Sequence, residues 1–155
     1  TFGKAMGSHG AAVLGSLILK DYLINFSRSF IYTTALPPHT VATILASYHV
    51  LNTSDLQRDM YALKKNIKIF RSELEQHEIN LSFIESYSAI QCCVIPGNET
   101  VKRAAKYLQD KGYDVKPILS PTVSKGKERI RICLHSFNTQ NDIKNLVEEL
   151  ANFIK

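Results

Sequence analysis

The chain has 155 residues, 45% hydrophobic and 21% charged, with nineteen Lys and Arg against fourteen Asp and Glu for a net charge of +5. That length allows one domain with a full core, or a small domain joined to part of another, and the composition is that of an ordinary globular protein. The longest apolar run, "AAVLGSLIL", is broken by Gly15 and Ser16 and reaches about half of the roughly 20 residues a membrane span needs, so no membrane partner is expected.

The chain opens "TFGKAMGSHG", a lysine set among Gly3, Ala5, Gly7, Ser8 and Gly10. This is not a phosphate-binding P-loop, which needs a glycine several residues earlier and a Ser or Thr directly after the lysine. Two readings stay open: a solvated loop lysine, or a partly desolvated amine that the glycines let a ligand approach and that forms a Schiff base. Residues 11–16, "AAVLGS", are expected to form a short buried strand, and "LKDYLINFSRSF" a helix with Leu19, Leu23 and Phe26 on one face. "FIYTT" reads as extended and runs into Pro37 and Pro38, which suit the first turn of a helix carrying Val41, Ile44, Leu45, Tyr48 and Leu51.

Ser54, with Gln57 three residues on, has the pattern of a capping box. Leu56, Met60, Leu63, Ile67, Phe70 and Leu74 follow in steps of four and three, which predicts an amphipathic helix of about six turns acting as a spine. From residue 78 the pattern changes. "SAIQCCVI" is an apolar strand ending at Pro96-Gly97; Asn98 caps a helix bearing Val101, Ala104, Ala105 and Leu108, with Gly112 past its end. "YDVKPIL" is extended, "SPTVSKGKE" is a loop, and "RIRICL" alternates Ile130, Ile132 and Leu134 with Arg129, Arg131 and Cys133. Thr139 with Asp142 opens a last helix. Strand, helix, two strands and helix complete a small α+β domain. The first fifty residues offer a strand without a partner, which predicts the tail of a larger sheet-containing domain and hence a fragment.

Cys92 and Cys93 are adjacent and point to opposite faces of a strand, a poor disulfide framework that predicts a reducing, cytoplasmic compartment. The histidines are scattered without ligand spacing, so no metal site is expected. The positive charge is either a solvated surface or an attraction for an anionic small molecule; no basic cluster with interleaved aromatics points to nucleic acid. Arg131, between Ile130 and Ile132, faces away from the core, where its planar fork suits a carboxylate or simply meets water. Thr122 lies in the loop before that strand.

Three stretches carry a family resemblance. "TFGKAMGSHGAAVLGS" resembles the pyridoxal-phosphate lysine segment of the α-oxoamine synthases, fold-type I enzymes; "FIYTTALPP" resembles their aromatic-Ser/Thr-Pro-Pro stretch; and "SPTVSKGKERIRICL" resembles their Pro-x-x-Val loop and the arginine strand after it. The resemblance implies an α/β fold, with the end of the cofactor-binding large domain over 1–52, a connecting helix over 53–77 and a small α+β domain over 78–155. It implies that Lys4 binds pyridoxal 5'-phosphate and acts as the proton-transfer base, and that Thr1 bonds the cofactor phosphate. Thr33 and Thr34 would reach the phosphate held by the other subunit of a homodimer. Arg131 would hold the amino-acid carboxylate and Thr122 would line the acyl pocket.

The implied reaction is a decarboxylative condensation of an amino acid with an acyl thioester of CoA or a carrier protein. The small residues and "HGAAV" after the lysine point to the branch that joins L-alanine to a pimeloyl thioester in biotin synthesis. The alternatives are another branch, such as glycine C-acetyltransferase, or a non-catalytic dimerisation or binding module. Ser124 replaces a common proline, Leu119 stands where some members are basic, and His9 is expected only to pack. The family's pyridine-nitrogen aspartate, ring-stacking histidine and glycine-rich loop belong upstream, so the chain alone is expected to be inactive.

Overall fold

Caps and prolines, more than burial, set the helices in the first third of the chain. In the computed structural model, which describes residues 1–155, the Ser16 hydroxyl accepts from Leu19 N at 3.2 Å and opens α1 (Leu17–Phe26). A break at Ser27 precedes a single turn, α2 (Arg28–Ile31), and Pro38 takes the first position of α3 (Pro38–Leu51). These helices bury none of their residues; they lie in a unit, Thr1–Leu56, whose one buried residue is Ser8.

Two expectations fail in this unit. Residues 11–16 form no strand and are exposed, because no neighbouring chain offers them a ladder of hydrogen bonds. "FIYTT" is not extended either: Phe30 and Ile31 complete α2, whose carbonyl of Arg28 accepts from Tyr32 N at 3.1 Å.

The second unit, Gln57–Lys155, has a core of its own. It begins within α4 (Ser54–Gln76), where Ile67, Phe70 and Leu74 are buried as their spacing predicts. The cap of this helix is Thr53 rather than Ser54, since Thr53 Oγ1 accepts from Leu56 N at 3.3 Å. Asn66, also buried, is satisfied by donating to the carbonyls of His135 at 3.0 Å and Asn138 at 2.9 Å.

The chain then forms β1 (Phe83–Ile84), β2 (Ile90–Val94), α5 (Asn98–Asp110), β3 (Lys116–Ile118), β4 (Arg129–Cys133) and α6 (Gln140–Ile154). The strands make one antiparallel sheet in the order β1-β2-β4-β3. Strand β1 is too short to show a period and went unread in the sequence; its Phe83 pairs with Cys93 and meets Phe70 edge-on at 5.6 Å. In β4 the alternation holds, with Ile130 and Ile132 buried and Arg131 and Cys133 exposed. Helix α6 opens with the expected capping box, and Gly112 follows α5 at φ 93°. At the other end of α5 the cap is Gly97, not Asn98, which frees the Asn98 side chain for another task. No helix is long and apolar enough to cross a membrane.

Candidate functional site

Backbone hydrogen bonds close the opening stretch into a loop. Phe2 N donates to Gly10 O at 2.8 Å, Ser8 N to Phe2 O at 3.1 Å, and Gly7 N to Lys4 O at 2.9 Å, so Lys4 begins the tight turn at the tip. Gly10 has to be glycine: its φ is +127°, and an added Cβ would stand 3.1 Å from Ile44 Cδ1. The loop is fastened to α3 by the Ser8 and Ser47 hydroxyls, 2.8 Å apart, and by the edge of Phe2 against Tyr48 at 6.0 Å. A lysine on so small a loop is therefore held in place by its neighbours' backbone.

Lys4 itself is exposed, where partial desolvation was one expectation, and it pairs with no carboxylate. The space around it is open. An added Cβ at Gly7 meets nothing within 4 Å, and at Gly3 only Ser8 O at 4.0 Å. An uncompensated primary amine on an anchored loop of small residues fits a cofactor that presents a flat ring and an aldehyde. Thr1, Thr33 and Thr34 are exposed and their hydroxyls make no hydrogen bond within the chain, leaving each available to a phosphate oxygen. His9, expected to pack, is exposed instead.

The second cluster is on the sheet. Arg131 stands opposite Cys92 of β2 and opposite Lys116 of β3, while Arg129 stands opposite Val94 and Ile118. Lys116 is paired with Asp114 at 2.7 Å, and Arg129 Nε donates to Lys127 O at 2.9 Å. Arg131 has neither an ion pair nor a hydrogen bond, and it opens onto a cleft of about 490 Å³ shared with Tyr113, His135 and Phe137. Burial pushes the Cys92 thiol above its ordinary 9.0, against the pull of Arg129 and Arg131, and burial pushes Cys93 in the core up to about 12. Both thiols stay neutral at pH 7. Arg131 is thus a guanidinium with no partner within the chain, beside a neutral thiol, in a cleft that Asp114, Lys116 and Asp142 also line.

Thr122 is exposed on the loop between β3 and β4, and β3 lies against β4 with Ile118 opposite Arg129, so this loop leaves the sheet two residues from Arg131. Leu119 is half-buried against the core. Lys4, Thr1, Thr33 and Thr34 belong to the first unit, Thr122 and Arg131 to the second. The sequence reading missed Glu128, which is buried and accepts from Gly97 N at 3.0 Å and Gly126 N at 2.9 Å. Those amides, Gly97's foremost, hold its carboxyl below the usual range. The signal was present: a period of two places Glu128 on the same face as Ile130 and Ile132, where a charge needs a reason.

This chain belongs to the Aminotransferase class I and II family, whose model matches residues 1–150. Enzymes of that family work with pyridoxal phosphate. Among curated proteins it is 38% identical to the 8-amino-7-oxononanoate synthase of Emericella nidulans and 36% identical to that of Saccharophagus degradans; each match covers 100% of this chain and 38% of the relative. The crystal structure of 8-amino-7-oxononanoate synthase from Francisella tularensis matches with a TM-score of 0.80 at 28% identity, over 99% of this chain and 44% of that one. A serine palmitoyltransferase from S. paucimobilis, solved with a bound PLP–myriocin aldimine, shares the fold with a TM-score of 0.78 at 22% identity. The chain therefore carries a fold-type I transferase fold over 38% of the length of those curated relatives.

Proposed function

We propose that this chain supplies the lysine and the carboxylate-binding arginine of a pyridoxal-phosphate-dependent acyltransferase that makes 8-amino-7-oxononanoate. In that reaction L-alanine and a pimeloyl thioester join through a new carbon–carbon bond, and carbon dioxide and the free thiol leave. The observation that carries the reading is the anchored Lys4 loop, with its unpaired amine and open surroundings. The choice of substrates is supported by the relatives' name and by the whole-chain extent of the match. Residues 1–52 would close a cofactor domain, 53–77 connect, and 78–155 form the small domain.

Pyridoxal phosphate, when bound, supplies an electron sink for the carbanion formed at the amino-acid Cα. Lys4 Nζ would hold the cofactor and would serve as the base that takes the proton from the amino-acid Cα. Thr1 would donate to the cofactor phosphate, and Thr33 and Thr34 would do the same for the other subunit of a cytoplasmic homodimer. Arg131 grips the carboxylate with two parallel N–H donors, which fixes the orientation of the bond to be broken. Thr122 lines the path of the acyl chain. The resemblance assigns the aspartate for the pyridine nitrogen to sequence outside these 155 residues, so the chain by itself would be inactive.

Borohydride reduction of the intact cofactor-loaded protein containing this chain, followed by peptide mapping, tests the reading. A pyridoxyl group on Lys4 is expected. No adduct there would favour a non-catalytic binding module, and a profile of amino acids against thioesters separates alanine from glycine use.

A further inference from the structure

The loop from Leu119 to Glu128 carries Thr122, and side chains tie both of its ends to a single turn, Pro96-Gly97-Asn98, where β2 leads into α5. At the entry, Asn98 Oδ1 accepts from Ser120 N at 2.9 Å while Asn98 Nδ2 donates to Ser120 O at 3.3 Å. At the exit, Glu128 Oε2 accepts from Gly97 N at 3.0 Å and from Gly126 N at 2.9 Å. Glu128 is 2% exposed and makes no ion pair; backbone amides alone satisfy it. Between the two ties lies a hollow of about 440 Å³.

A buried carboxylate is a costly way to hold a loop when an apolar side chain would fill the same space. What the carboxylate adds is direction. Its oxygen fixes two amides that belong to different segments, both on glycines with positive φ, +93° at Gly97 and +83° at Gly126. With Asn98 fixing the other end, the loop between has both anchors on one rigid turn at a helix start. Only two hydrogen bonds remain within it, Val123 N to Leu119 O at 3.1 Å and Lys127 N to Ser124 O at 2.9 Å.

We propose that Glu128 and Asn98 are positioning residues for the acyl site: together they hold the 119–128 loop in one conformation so that Thr122 meets the acyl thioester. This rests on the reading of Thr122 given above. Neither residue touches the substrate; both act through the loop.

The test uses the intact cofactor-loaded protein with Glu128→Ala, Glu128→Gln and Asn98→Ala. Two quantities are read: the rate of tryptic cleavage after Lys125 and Lys127, and the KM for each substrate. Glu128→Ala loses two charge-assisted hydrogen bonds and is expected to speed cleavage and raise the thioester KM by at least about tenfold each, the size of one such bond. The amino-acid KM and the Lys4 adduct should not move. Glu128→Gln keeps an acceptor oxygen and should recover most of both effects. Asn98→Ala should repeat the pattern, and it decides the matter if Glu128→Ala does not fold. Wild-type cleavage and thioester KM in these variants would overturn the proposal, as would an equal loss for both substrates accompanied by a lower Tm. If the wild-type protein shows no Lys4 adduct and no acyl transfer, the site reading fails and takes the acyl role with it. An adduct with an unmoved thioester KM overturns the positioning role alone.

Discussion

Cys92 and Arg131 stand opposite each other across the β2–β4 ladder, on the face away from buried Ile130 and Ile132. The pairing sets the two backbones about 5 Å apart with both side chains on one face of the sheet. Burial raises the thiol above 9.0, so its thiolate fraction, and with it the alkylation rate, should still be climbing at pH 9. Iodoacetate would leave a carboxylate facing Arg131 and should block amino-acid binding in the intact protein, where iodoacetamide should weaken it less. Mass spectrometry of timed samples reads the rate. A rate already level at pH 8, or equal effects of the two reagents, would contradict this account.

Arg131→Lys keeps the charge and removes the fork. Because a lysine offers a point charge where two parallel donors stood, the amino-acid KM should rise by roughly 10- to 100-fold while the thioester KM stays within about twofold. Steady-state kinetics on the intact protein decides. An unchanged amino-acid KM would show that Arg131 is no more than an exposed arginine.

The second unit was legible because each of its long elements declares a period. The alternation in "RIRICL", the Thr139–Asp142 box and the later part of the α4 stripe, Ile67, Phe70 and Leu74, appear in the structure as read, whereas Met60 in the same stripe is exposed. What escaped has physical causes. Strand β1 has two residues, too few for any period, and is set by pairing with Cys92 and Cys93. "AAVLGS" looked like a strand because apolar content does not reveal whether a partner strand exists. At the site, Lys4 and Arg131 stood out through composition around them. The period of two marks Glu128 as a charge on the buried face, but its partner Gly97, and Ser120 for Asn98, are distant in sequence, and spacing does not name them.

Residues 57–155 should fold without the rest of the chain. Their core is their own, with Phe70 fully buried and stacked edge-on against Phe83, whereas Leu14, Leu17 and Ile18 in the first unit are 89%, 77% and 82% exposed. The excised piece should unfold cooperatively and sediment as a monomer; Phe70→Ala in it should cost about 3–5 kcal/mol. The 155-residue chain should associate as concentration rises, driven by its uncovered apolar side chains. A monomeric long chain, or an unstructured short one, would contradict this division.

Stability of that piece should be greatest in a window bounded on both sides by one glutamate. Glu149 is held below its ordinary 4.5 by the Tyr107 hydroxyl and by Lys111, and in return Tyr107 and Lys111 are raised above their ordinary 10.0 and 10.5 by Glu149. A carboxyl lowered by folding binds fewer protons folded than unfolded, so its contribution is present above the unfolded value and lost as pH falls through the folded one. Tyr107 and Lys111 have the opposite sign: their contribution is complete below their unfolded values and fades as pH rises through the raised ones. Asp142, lowered by the Thr139 side chain and amide, and Glu128, lowered first by the Gly97 amide, add to the acid side, and Asp142 also helps burial and Glu149 to raise Tyr113 on the alkaline side. Tm measured from about pH 3 to pH 11 should therefore form a plateau with two falling limbs. Glu149→Gln should lower the plateau and make both limbs shallower, so that wild type and variant converge at each extreme. Asp142→Asn should act chiefly on the acid limb, with a smaller effect on the alkaline limb through Tyr113, which Asp142 helps to raise. If Glu149→Gln flattened the acid limb alone, the coupling of Tyr107 and Lys111 to Glu149 would not be contributing to the fold.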